Sequence, residues 1–139
     1  MTTTPRANKP RPFVRSQSDL EAVWKEMMQP LGFGGRSLWM LVIDEDDQPY
    51  PQLTEFTEAD QPPDAEMVDS LAAVLGHFAD AGHRFAFLRS RPGPGGLTAE
   101  DKSWARSLYA AGRRAGVPLE VVHRACDHDL VPIPMDEVA

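Results

Sequence analysis

Apolar positions along this chain recur at two periods, and the alternation between them predicts the elements. Leu20, Val23, Trp24 and Met27 are spaced for one helix face, giving a short helix over about 19–28. Ser18 and Glu21 fit a capping box at its start, and Pro30, Gly32, Gly34 and Gly35 end it. Residues 37–43 (SLWMLVI) are almost wholly apolar, as in a strand covered on both faces. Asp44-Glu45-Asp46-Asp47 reads as a solvated hairpin tip; it lacks the Gly and terminal Glu of a calcium loop. Residues 50–56 return as an antiparallel strand, which Pro51 places at an edge. A second helix is expected over about 64–81, with Met67, Leu71, Leu75 and Phe78 as its stripe and Gly82 past its end. A strand over 83–88 leads into the Gly/Pro loop 89–97. Thr98 then caps a third helix, 99–115, which Gly116 stops. Residues 119–123 and 130–133 close the set as strands around a polar turn, Asp127-His128-Asp129. The order α-β-β-α-β-α-β-β implies a layered α/β domain: a mixed β-sheet flanked by helices. Trp24, Trp39 and Trp104 lie on apolar stripes and are expected in the core.

Composition narrows this reading. The 139 residues suit one domain, assigned to 16–139, behind a Thr-, Pro- and Arg-rich segment, 1–15, expected to be a flexible basic tail. The net charge is −7. Four of the 14 basic residues but none of the 21 acidic ones lie in that tail, so the body carries 10 basic against 21 acidic side chains. Such a body repels a phosphate backbone, and nucleic-acid contact is expected of the tail alone. No stretch approaches the ~20 apolar residues that span a bilayer, so no membrane partner is expected. No signal-peptide pattern opens the chain, and Cys126 is its one cysteine, which excludes an internal disulfide; the expected compartment is the cytoplasm.

The stretch with most chemical content runs from Arg89-Ser90-Arg91-Pro92 through the loop to Thr98-Ala99-Glu100-Asp101. With Leu38–Asp44 before it, the helix at 64–82 and Ala111–Leu119 after it, it resembles a JAB/MPN (JAMM) domain, most nearly the RadC-like branch. The resemblance covers about residues 36–133 and implies a cytidine-deaminase-like layered fold. Arg89-Ser90-Arg91-Pro92 falls on that family's H-x-H-P motif and Thr98–Asp101 on its S-x-x-D. His123 falls where RadC-like proteins often carry an Asp-His pair. Active members bind zinc through the two histidines and the aspartate, with a glutamate as base; here that glutamate falls near Arg36. Arginine keeps its charge and has no lone pair to give a metal, so the resemblance implies a degenerate site without zinc hydrolysis.

Read for themselves, Arg89 and Arg91 suit strand-end charges paired with Asp101 or Glu100. They also suit an anion pocket formed with Arg36 beside the helix start at Thr98. The glycines lack Walker spacing, and Ser90 has no base placed by sequence to activate it. His123, Cys126 and His128, with Asp127 and Asp129, could supply relocated zinc ligands, although a polar turn fits them better. His77 and His83 flank a helix end and read as structural. The sequence thus favours a non-catalytic protein-interaction or scaffold module with no cofactor and a protein partner, a homodimer being compatible with it. A small-anion or nucleotide-binding regulator and a metal-dependent hydrolase with relocated ligands are the competing expectations.

Overall fold

Two opposite-facing sets of side chains on the central strands dictate the architecture. The computed structural model describes residues 2–5, 13–29, 31–57, 64–77 and 82–138. Through these the chain runs β1 (Thr2–Pro5), α1 (Gln17–Met27), β2 (Ser37–Ile43), β3 (Pro49–Thr57), α2 (Ala65–Gly76) and β4 (Arg84–Ser90). It continues as α3 (Ala99–Ala115), β5 (Val122–Ala125) and β6 (Leu130–Ile133), ending in a 3-10 turn, Met135–Glu137. The strands form one mixed sheet in the order β1-β3-β2-β4-β5-β6. Only β4 and β5 are parallel neighbours; the other pairs are antiparallel.

Side chains alternate across a strand, so β2 and β4 feed two cores. Leu38, Met40, Val42, Phe85 and Phe87 pack on the front with Leu71 and Leu75 of α2 and Trp104, Leu108 and Tyr109 of α3. Leu41, Ile43, Ala86 and Leu88 pack on the back with Leu20, Val23 and Trp24 of α1. Both faces of these strands are covered, which explains why their sequences are near-continuous apolar runs. The result is a three-layer α/β domain with α2 and α3 on one face and α1 on the other.

α3 has the bounds that its caps predict. The Thr98 hydroxyl accepts from Asp101 N–H at 3.0 Å, while Asp101 accepts from Thr98 N–H at 3.0 Å. At the far end Gly116 takes φ +70°, the left-handed conformation that a side chain would disfavour. The Tyr109 hydroxyl is threaded into the β5–β6 ladder, accepting from Val122 N–H (2.9 Å) and donating to Ile133 C=O (2.7 Å). Burial pushes its pKa up. With those two backbone groups facing each other, the neighbouring Pro132, opposite His123, turns its nitrogen away from β5 toward the free edge of the sheet.

Several expectations are corrected. The segment 1–15 is not tail throughout. Thr2–Pro5 pairs with β3, and Val14 is buried in the back core, its N–H donating to Asp47 C=O at 2.7 Å. Arg84 fastens this strap by donating to Val14 C=O (2.6 Å), to Glu120 (2.7 Å) and to Asp47. β3 is therefore not an edge strand: among the described residues, β1 pairs with its Gln52–Glu55 stretch. Helix α1 begins two residues early because Ser16, not Ser18, caps it, accepting from Asp19 N–H at 3.1 Å. α2 ends at Gly76, and Phe78 of its expected stripe lies outside the described residues. The strand expected at 119–123 starts three residues later and ends two later, at Val122–Ala125, and Leu119 makes only an isolated bridge to Phe85. No helix among the described residues is long and apolar enough to cross a membrane.

Candidate functional site

The topology brings the chemistry-bearing residues to one end of the front face. β4 and β5 are parallel with α3 as their crossover, so the start of α3 stands over the carboxyl ends of both strands. Ligand sites in open α/β sheets commonly occupy this position. Strand alternation continues Phe85 and Phe87 into Arg89 and then Arg91, all toward α3, and register places Arg124 of β5 directly beside Arg89. Three arginines thus converge beneath one helix start, and all three are buried.

Asp101 neutralises them from the centre. It is fully buried, and its carboxylate is saturated. Oδ1 accepts from Arg89 Nη1 (3.0 Å) and Arg91 Nε (2.9 Å). Oδ2 accepts from Arg91 Nη2 (2.9 Å) and the Thr98 N–H (3.0 Å). A carboxylate offers about four lone-pair sites, and all four are taken. Burial alone would raise the Asp101 pKa. The Arg91 hydrogen bonds, the Thr98 N–H and the charges of Arg91 and Arg89 overcome that and hold it below the usual carboxylate value.

Arg91 is the hub. Besides its two bonds to Asp101, Nη1 donates to Pro92 C=O (3.3 Å) and Pro94 C=O (3.0 Å), and Nη2 to Gly96 C=O (3.1 Å). All five guanidinium N–H groups are used, and the Gly/Pro loop is wound around them. The hydrogen bonds to Asp101 raise the Arg91 pKa, whereas burial lowers that of Arg89 against the pull of Glu100. Arg89 also donates to Glu100 and lies 5.5 Å from the Trp104 ring. Glu100 is shared with Arg36, whose Nε stands 3.6 Å away on a half-exposed side chain.

The second arm of the cluster is Arg124, Cys126 and Asp129. Arg124 Nη1 donates to Asp129 (2.7 Å) and Cys126 Sγ (3.0 Å), and the thiol donates to the same Asp129 oxygen at 3.1 Å. Arg124 Nε is 3.9 Å from Asp101 Oδ2, and neither Nε nor Nη2 has a hydrogen-bond partner among the described residues. Asp127 braces the loops around the cluster, accepting from Phe33 N–H (3.0 Å) and Gly93 N–H (2.8 Å); these bonds lower its pKa.

The residues singled out by sequence separate into two groups. Arg36, Arg89, Arg91, Thr98 and Asp101 are brought together, but the arginines are spent on Glu100 and Asp101. An internal carboxylate occupies the place expected for a bound anion, because Asp101 enters from α3 at hydrogen-bonding distance. Ser90 points to the back face and accepts from Trp39 Nε1 at 2.9 Å, so it belongs to packing. His123, Cys126 and His128 are not brought together as metal ligands. Alternation sends His123 to the back face against α1, Cys126 is held by Arg124 and Asp129, and His128 is exposed. Among the described residues no group of three or more His, Cys, Asp or Glu side chains could hold a metal ion. Arg124 was not anticipated, because a strand ending at 123 leaves it in a turn with no assigned face. Compared with protein-family models, curated proteins and solved structures, the chain matches none of them.

Proposed function

We propose that this chain is a non-catalytic domain of JAB/RadC-like type that works as a protein-interaction or scaffold module. One observation carries the reading: the Asp101 carboxylate, at the position resembling a zinc ligand, has all four acceptor sites filled by Arg89, Arg91 and Thr98. A metal there would have to displace an interlocked set of buried charges, and arginine offers it no lone pair in exchange. The succession of elements after β1, and the start of α3 standing over β4, support the resemblance. With the ion cluster closed, the groups offered to a partner are those around it, all exposed: Pro94, Gly95, Gly96 and His128 on loops that Asp127 braces, and Ala99 at the start of α3. This end of the domain sets these small and proline residues beside the solvent-facing carboxylates of Asp127 and Asp129, above a neutralised interior.

Two measurements on the purified protein test this. Calorimetric titration with zinc is expected to show no stoichiometric binding; tight one-to-one binding with metal-dependent hydrolysis would overturn the non-catalytic reading. Affinity capture from native extract, repeated with the exposed pair Pro94→Arg and His128→Glu, is expected to lose the partner. A partner retained by that variant would remove the interaction from this platform.

A further inference from the structure

His123 has no part in the cluster on the front face. Its ring is fully buried on the opposite face, between β5 and α1. Nδ1 lies 3.0 Å from the Val121 carbonyl oxygen, and Nε2 lies 3.4 Å from Glu21 Oε1 of α1. Both neighbours are acceptors. A neutral imidazole carries one N–H and can satisfy only one of them, whereas an imidazolium satisfies both. The charged groups acting on the ring are Glu21 and Lys25, both from α1; its cross-strand neighbours, Leu88 in β4 and Pro132 in β6, carry none.

We propose that His123 and Glu21 form a proton-operated catch between β5 and α1. With the ring neutral, Nδ1–H holds the Val121 carbonyl, and Glu21, whose side chain is 27% exposed, turns its carboxylate to water rather than face the Nε2 lone pair. With the ring charged, Nε2–H donates to Glu21, but the charge sits in the apolar back core, which that one contact only partly offsets, and α1 is held less firmly over it. Burial lowers the His123 pKa and Lys25 lowers it further, while Glu21 and the Val121 carbonyl raise it; the net direction is down. A ring held below its ordinary value while packed takes its proton more readily once α1 opens, so the catch is shut with the ring neutral and releases on the acid side of the ordinary histidine value of about 6.5. The apolar packing of Leu20, Val23 and Trp24 keeps α1 in place in both settings, so the switch changes how firmly α1 is held, not whether the domain folds.

The test uses the full chain. Imidazole titration by NMR is expected to place the His123 midpoint below that of exposed His128. Amide exchange in α1, corrected for intrinsic pH dependence, is expected to quicken as pH falls through that midpoint. Glu21→Gln supplies a donor to the neutral ring at every pH. It should move the midpoint, and the exchange step with it, further toward acid. Lys25→Gln should move the midpoint the other way. Opposite displacements are not expected of two surface substitutions that merely disturb α1. A midpoint unmoved by either substitution, or an α1 exchange profile without a step, would overturn the catch.

Discussion

At the scale of single residues, the balance of the front-face cluster rests on donor geometry more than on charge. Arg91 spends five N–H groups on two carboxylate oxygens and three loop carbonyls. Lysine would keep the charge but offers three donors from a single point. Arg91→Ala is expected to cost about 3–5 kcal/mol, the range for leaving one partner of a buried pair uncompensated. Arg91→Lys should recover only part of that, since it loses two or more hydrogen bonds worth about 1 kcal/mol each. Urea unfolding of both variants measures the difference, and equal stability of wild type and Arg91→Lys would show that the fork is dispensable. The pairing of Arg89 and Arg91 with Asp101 and Glu100 was legible in the sequence, because a strand end and a capped helix start ten residues apart must meet. The burial of that pairing was not legible. It depends on Arg124 arriving beside Arg89 from a strand whose register differs by two residues from the pattern of apolar positions.

At the scale of elements, legibility followed the strength of the end signals. Thr98 and Gly116 bracket α3 so firmly that its bounds could be read from the chain, whereas α1 offered two serines and the earlier one caps it. Val14 could not be placed, since the pair Phe13-Val14 among prolines and cations has no period; the Arg84 clasp holds it across 70 residues. The β5–β6 pair depends on a contact that no local pattern reveals, the Tyr109 hydroxyl between Val122 and Ile133. Tyr109→Phe keeps the ring but leaves a buried donor and acceptor without it. We expect a loss of about 1–3 kcal/mol, with faster amide exchange at Val122 than at Phe85 in the adjacent strand. Unchanged exchange at Val122 would mean that the ladder closes without the hydroxyl.

For the molecule as a whole, the sheet separates two kinds of chemistry: a neutralised arginine cluster beneath α3 and a single titratable contact beneath α1. No charged residue need pass between them, so the two faces can be altered independently; substitutions in the cluster should leave the His123 midpoint where it is. The sheet's margins are equally asymmetric. One margin is lined by the four residues of β1, ending at Pro5. The other is β6, where Pro132 turns its nitrogen outward. Replacing Pro132 with Val supplies the missing N–H, and concentration-dependent association by light scattering is expected to rise above that of wild type. An unchanged scattering profile would assign the protection to another feature. Proline at that margin also limits how the molecule can be recognised. A partner that would extend the sheet from this margin finds no donor in the middle of β6, so recognition there is left to side chains and loop shape. The same gap interrupts, at this margin, the edge-to-edge pairing by which sheets grow into fibres.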